Sequence, residues 1–184
     1  INDIFRAVAP FIKGESGLVK GIEVDDISES LQDAKKNEIV FYRLRESGKA
    51  WEDFLDRYKT SEHGLLILHG APRLLGALER CLIIDESEAL SCKKLILDIL
   101  YPLKKDGPKL VGITGTNGKT TTAHLALRIT SLMGKKGLSV GTLGVLSSEG
   151  QVERATLTTP SLIDSRKIIY KYQESTDVFF LEVS

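Results

Sequence analysis

The chain has 184 residues, 42% hydrophobic and 27% charged, with 25 basic and 25 acidic side chains in balance. This is the composition of one or two ordinary globular domains, with no bulk charge to attract nucleic acid or an anionic membrane and no apolar run near the length of a membrane span. No signal-peptide pattern is present, so the cytoplasm is the default compartment; Cys81 and Cys92 lack metal-ligand spacing, and the scattered His63, His69 and His124 read as structural.

In chain order, residues 4–12 carry one apolar-periodic piece interrupted by Pro10, a short helix at best. Residues 14–17 read as a loop, 21–25 as a short strand, and 26–36 as a polar stretch with a weak helical pattern. Residues 38–42 form the first clear strand, and Trp51, Phe54, Leu55 and Tyr58 mark a helix whose aromatic stripe is core. Strands follow at 65–68 and 82–84, with one or two helical turns at 72–78 between them. Asp85 with Glu88 suggests a capping box opening a helix through Ile99. The charged, Gly- and Pro-containing stretch 104–108 is the expected boundary between domains 1–106 and 107–184.

The second domain opens with the short apolar run 110–113, of the kind a buried parallel strand shows. The chain then turns through Gly115, Thr116, Asn117 and Gly118. A helix follows, with Ala123, Ala126, Leu127, Thr130 and Met133 on its apolar face, and Gly134 stops it. Residues 138–142 read as a strand, 144–146 as a further one, 147–150 as a turn. Thr159 and Pro160 have the character of an N-cap and first residue of a helix with Ile163, Ile168, Ile169 and Tyr172 facing inward. The last strand is 177–183. Strands alternating with helices predict an α/β fold: a small N-terminal α/β domain followed by part of a doubly wound parallel sheet, with right-handed crossovers. Ligands of such sheets bind beyond the carboxyl ends of the strands, where the 115–120 loop, Thr158 with Thr159, and Glu182 all fall.

The loop carries most of the chemistry. A helix N-terminus presents free N–H groups and a positive dipole end, and glycines let the backbone wrap an anion. Gly115 and Gly118 permit the wrap, Lys119 is a point charge for outer phosphates, and Thr120 puts a hydroxyl where a nucleotide's Mg²⁺ would sit. Thr116, Asn117 and Thr121 complete the candidate set. The spacing departs from the strict G-x-x-x-x-G-K-[ST], because Ile113 occupies the first glycine position, which disfavours a GTPase-like switch.

Gly112-Ile-Thr-Gly-Thr-Asn-Gly-Lys-Thr-Thr-Thr122, then Gly141-Thr-Leu-Gly144, Thr158-Thr-Pro160 and Glu182-Val-Ser184, in this order and at these intervals, resemble the Mur ligases, closest to the tripeptide synthetase branch, MurE. The resemblance is strong over 109–184 and weak before it. In the first domain, where that branch holds the UDP part of its substrate, Asp26-Ile-Ser28 and the 38–42 strand occupy similar ground without the branch's Arg and with a longer gap.

The resemblance implies ATP-dependent amide formation in peptidoglycan precursor synthesis: an amino acid joins a UDP-N-acetylmuramoyl-peptide through an acyl phosphate. It assigns Lys119 and the loop to ATP as catalytic and binding groups, Thr120 and Glu182 to Mg²⁺, and Thr158, Thr159 and Ser184 to the muramoyl-peptide. The first residue, Ile1, and the end at a strand lead us to expect part of a longer protein, inactive in ligation alone. The alternatives are a folylpolyglutamate- or cyanophycin-type ligase, and a non-catalytic binding module that keeps the fold.

Overall fold

A computed structural model describes residues 2–16, 21–45, 48–70, 78–154 and 160–183, and the chain divides into two units, Ile1–Leu100 and Tyr101–Ser184. In the first unit, strands Ile12–Ser16 (β1), Asp26–Ser28 (β2), Glu38–Arg43 (β3), Leu65–His69 (β4) and Cys81–Ile84 (β5) form one sheet in the order β1-β5-β4-β3-β2. β2 to β5 run parallel, and β1 returns antiparallel along β5. The apolar runs of β3, β4 and β5 are buried on both faces, as parallel strands between helical layers require. On one face Val40, Leu66, Leu68, Cys81 and Ile83 pack with Phe54 of helix Gly48–Thr60 (α2). The Phe54 ring, fully buried, lies 5.3 Å from both Trp51 and Tyr42 and 5.9 Å from Tyr58, so the aromatic stripe is core as its spacing indicates. Residues of the other parity, including Ile39, Ile67 and Leu82, are buried too. In the same unit helix Asn2–Val8 (α1) packs on helix Ala89–Leu100 (α3). Burial pushes the thiols of Cys81 and Cys92 up to about 12, so both are inert apolar fillers.

Several local expectations are corrected in this unit. The stretch expected as a loop over 14–17 is largely β1; an edge strand needs backbone pairing on one side only, so exposed Lys13 and Glu15 do not prevent it. The strand expected at 21–25 forms instead at Asp26–Ser28, and no helix follows it. There the Asp26 carboxylate accepts from Ile27 N at 2.6 Å and the Ser30 hydroxyl donates to Asp33, short-range bonds that compete with a helix. Asp85 caps nothing; its carboxylate pairs with Lys13 at 3.4 Å, and a 3-10 turn, Glu86–Glu88, leads into α3. The turns expected at 72–78 lie, except for Leu78, outside the described residues.

The second unit contains strands Lys109–Ile113 (β6), Gly137–Gly141 (β7), Gly144–Ser147 (β8), Gly150–Glu153 (β9) and Val178–Glu182 (β10), with helices Lys119–Leu132 (α4) and Leu162–Tyr172 (α5). The sheet order is β6-β10-β7-β8-β9. β6, β10 and β7 are parallel, whereas β8 and β9 form an antiparallel meander, so the sheet is mixed and the 147–150 turn leads into an unforeseen strand. Phe179 of β10 packs with Leu138, Val140 and Ile169 of α5, while Phe180 packs with Ala123 and Leu127 of α4. Adjacent residues of a strand point to opposite faces, so α4 and α5 cover the two sides of the sheet, the doubly wound arrangement.

Three further expectations change here. β6 is an edge strand rather than a buried one: among the described residues it pairs only with β10, and Leu110 and Val111 are 48% and 40% exposed. Met133 is exposed rather than part of the α4 core face. Helix α5 is capped by Ser161, whose hydroxyl accepts from Asp164 N at 3.2 Å while the Asp164 carboxylate accepts from Ser161 N at 3.3 Å. This reciprocal box displaces the expected start at Thr159 and Pro160.

The stretch 104–108 goes with the second unit. Buried Gln173, just past α5, accepts from Lys104 N at 2.9 Å and donates to the Pro102 carbonyl at 3.2 Å. One amide side chain thereby fastens the connecting segment to the α5 end.

Candidate phosphate-binding site

Three parallel strands end together: β6 at Ile113, β10 at Glu182 and β7 at Gly141, with Glu182 in register with Ile113. The chain leaves β6 through an exposed loop, 114–118, and enters α4 at Lys119. Gly118 has φ +78°, a left-handed conformation, and a Cβ there would touch nothing, so the turn needs glycine for its backbone rather than for space. Its carbonyl accepts the first helical bond, from Thr122 N at 2.8 Å. No side chain caps α4 and its first turn holds no acidic residue, which leaves the leading N–H groups and the positive dipole end for an anion. The Lys119 ammonium reaches back over the loop and donates to the Gly115 carbonyl at 2.6 Å. The strand-to-helix bend expected for Gly115, Thr116, Asn117, Gly118, Lys119, Thr120 and Thr121 is the bend found.

Thr120, one residue into α4, donates its hydroxyl to Oε2 of Glu182 at 2.9 Å. Glu182 is only 6% exposed. A second hydroxyl, that of Thr142 just past β7, donates to the same oxygen at 3.3 Å. Thr120 and Glu182, sixty-two residues apart in sequence, are thus brought together as a hydroxyl–carboxylate pair beside the loop. These are hard oxygen donors of the kind Mg²⁺ takes, and among the described residues no cluster of three or more His, Cys, Asp or Glu competes for a metal. One carboxylate and one hydroxyl suit Mg²⁺, which keeps waters and phosphate oxygens as its other ligands. The donor set and the open loop therefore fit a Mg²⁺-nucleotide. Thr158, Thr159 and Ser184 lie outside the described residues. Thr142 carried no assigned role in the sequence, although it stands within the Gly141-Thr-Leu-Gly144 run.

The first unit has a cleft of about 480 Å³ past the ends of β3 and β4, lined among others by Arg43, Arg45, Arg57, His69 and Lys93. Arg43 Nε and His69 Nδ1 meet the two oxygens of Glu86 at 2.9 and 2.5 Å, and Lys93 pairs with Glu29. The His69 hydrogen bond, foremost, with Arg43 and Lys93 nearby, holds the Glu86 carboxyl below its usual value.

Comparison with known proteins finds similarity to Mur ligases. Residues 113–184 match the Mur ligase middle domain. The UDP-N-acetylmuramoyl-L-alanyl-D-glutamate–2,6-diaminopimelate ligase of Blochmanniella floridana is 43% identical over 79 residues, 41% of this chain and 15% of that protein. The UDP-N-acetylmuramyl-tripeptide synthetase of Tropheryma whipplei (strain Twist) is 27% identical over 176 residues, 95% of this chain and 31% of that protein. A solved UDP-N-acetylmuramoyl-L-alanyl-D-glutamate–2,6-diaminopimelate ligase superimposes with a TM-score of 0.64 at 17% identity, over 88% of this chain and 32% of its own, a likeness of fold. The chain spans less than a third of the length of each of these relatives. The segment that carries the phosphate loop and the buried glutamate is thus the part of the chain that is similar to the Mur ligase middle domain.

Proposed function

We propose that this chain carries the nucleotide site of an ATP-dependent amide ligase of peptidoglycan precursor synthesis, acting in the cytoplasm on a UDP-N-acetylmuramoyl-peptide and an amino acid. One observation carries the reading. In a Mur ligase middle segment, the Thr120 hydroxyl and the buried Glu182 carboxylate meet at 2.9 Å beside an uncapped helix head. Bound Mg²⁺-ATP supplies the phosphoryl group that activates the muramoyl-peptide carboxylate toward the incoming amine. The protein's part is to gather anions that repel one another. The amides of the 115–119 loop and the Lys119 ammonium offset the negative charge of the β- and γ-phosphates, with Lys119 exchanging the Gly115 carbonyl for phosphate oxygen. Thr120 and Glu182 hold the Mg²⁺ side. Thr158, Thr159 and Ser184 contact the muramoyl-peptide in this reading. The first unit binds the UDP part; the cations of its cleft suit a diphosphate.

Calorimetric titration of the 184-residue chain with ATP, with and without Mg²⁺, tests the proposal. Binding that Lys119→Ala weakens supports it; no binding by the wild type at millimolar Mg²⁺-ATP overturns it.

A further inference from the structure

The Gly141-Thr-Leu-Gly144 run has no part in the function so far described, yet it touches the site. β7 and β8 are joined by a tight turn in which Gly141 pairs with Gly144 across the strands, and Gly144 takes φ +94°. The turn sets Thr142 beside the end of β10. Two features there concern Glu182. A Cβ on residue 141 would overlap the Cδ and Oε1 atoms of Glu182, so the carboxylate lies in a slot that only glycine leaves open. The Thr142 hydroxyl then donates to Oε2 at 3.3 Å, the same oxygen that accepts from Thr120.

We propose that Thr142 and Gly141 form a positioning device for the metal-side carboxylate: Gly141 opens the slot, and Thr142 holds Oε2 so that the carboxylate keeps one orientation for a divalent cation. The proposal rests on the nucleotide reading given above. A glutamate has several rotatable bonds, and holding it in one geometry costs conformational entropy that binding must otherwise meet. Thr120 cannot meet that need alone, because it is the residue whose oxygen also goes to the cation. Its position therefore follows the cation's, whereas Thr142 holds Oε2 with or without the metal. The choice of a hydroxyl matters as well. A neutral donor orients the carboxylate and leaves its charge for the cation, whereas a lysine or arginine would neutralise it and repel the metal.

The test uses the 184-residue chain and Mn²⁺ as a paramagnetic stand-in for Mg²⁺. ATP affinity is measured with Mn²⁺ and with chelator, and bound Mn²⁺ is read by electron paramagnetic resonance. Removing one hydrogen bond to the carboxylate, Thr142→Val lowers the Mn²⁺-dependent gain in ATP affinity about three- to tenfold and leaves metal-free ATP affinity within about twofold. Thr142→Ser restores the gain. In a Glu182→Gln background Thr142→Val has no further effect, because the two act as one unit. Thermal melts accompany each variant, and Thr142→Ala replaces the valine variant should that one fail to fold. Undiminished Mn²⁺ dependence in Thr142→Val, or equal losses with and without metal, overturns the proposal. A wild type that binds ATP equally with and without Mn²⁺ overturns it and spares the phosphate loop; a wild type that binds no ATP overturns both.

Discussion

Thr120, at the head of α4, and Glu182, at the end of β10, share a hydrogen bond of 2.9 Å although sixty-two residues separate them. The loop binds phosphate through backbone and charge, whereas this pair addresses the cation, so the two contributions separate experimentally. Glu182→Gln and Thr120→Ala each lower the Mg²⁺-dependent part of ATP affinity by about tenfold or more, with metal-free binding little changed. Titration at several Mg²⁺ concentrations measures both parts.

Gly118 adopts φ +78° with open space around its missing Cβ. Gly118→Ala therefore costs about 1–2 kcal/mol of backbone strain without a steric clash, and Gly118→Asn costs less because asparagine tolerates that conformation. Urea midpoints of the three proteins show the order Gly, Asn, Ala.

Gln173 satisfies two backbone groups of the 102–104 segment from a buried position. Gln173→Ala leaves both unpaired and destabilises the second unit by about 1–3 kcal/mol. The neighbouring Lys104–Glu174 ion pair is exposed, so Lys104→Ala changes stability by less than about 1 kcal/mol. Denaturation in urea distinguishes the two.

Burial, and secondarily the Arg80 charge, lowers the pKa of His63 from its ordinary 6.5. The unfolded chain then binds a proton that the folded chain resists, so stability is full above about pH 6.5 and falls as the pH drops through the folded value. The urea midpoint declines between pH 7.5 and 5.5 for the wild type, and less steeply for His63→Gln.

Legibility in the sequence followed the range of the interactions. Gly115 to Thr120 could be read because the bend, the helix head and the lysine are all local. Glu182 could be placed because an apolar run ends there, at a strand terminus. Thr142 could not be given a role, since its partner depends on β10 lying next to β7 and on the β7–β8 turn, and neither leaves a mark at residue 142. The strand at Ile12–Ser16 was hidden because edge pairing demands no apolar alternation. Leu110 and Val111 looked buried because composition records what a strand is fit to pack against rather than its place in the sheet. Asp85 looked like a cap until Lys13, distant in sequence, claimed it.

The position of β10 governs when the site can exist. Among the described residues β6 is joined only to β10, and β7 to β10 and β8, so β6 and β7 are not direct neighbours. Until that strand inserts, the loop and the β7 turn belong to separate pieces of sheet, and the carboxylate that links them has no neighbours. Assembly of the site is therefore a closing event of this unit's folding. Hydrogen exchange during refolding will show the amides of 178–182 gaining protection no earlier than those of β7 and β8, and nucleotide affinity appearing only then.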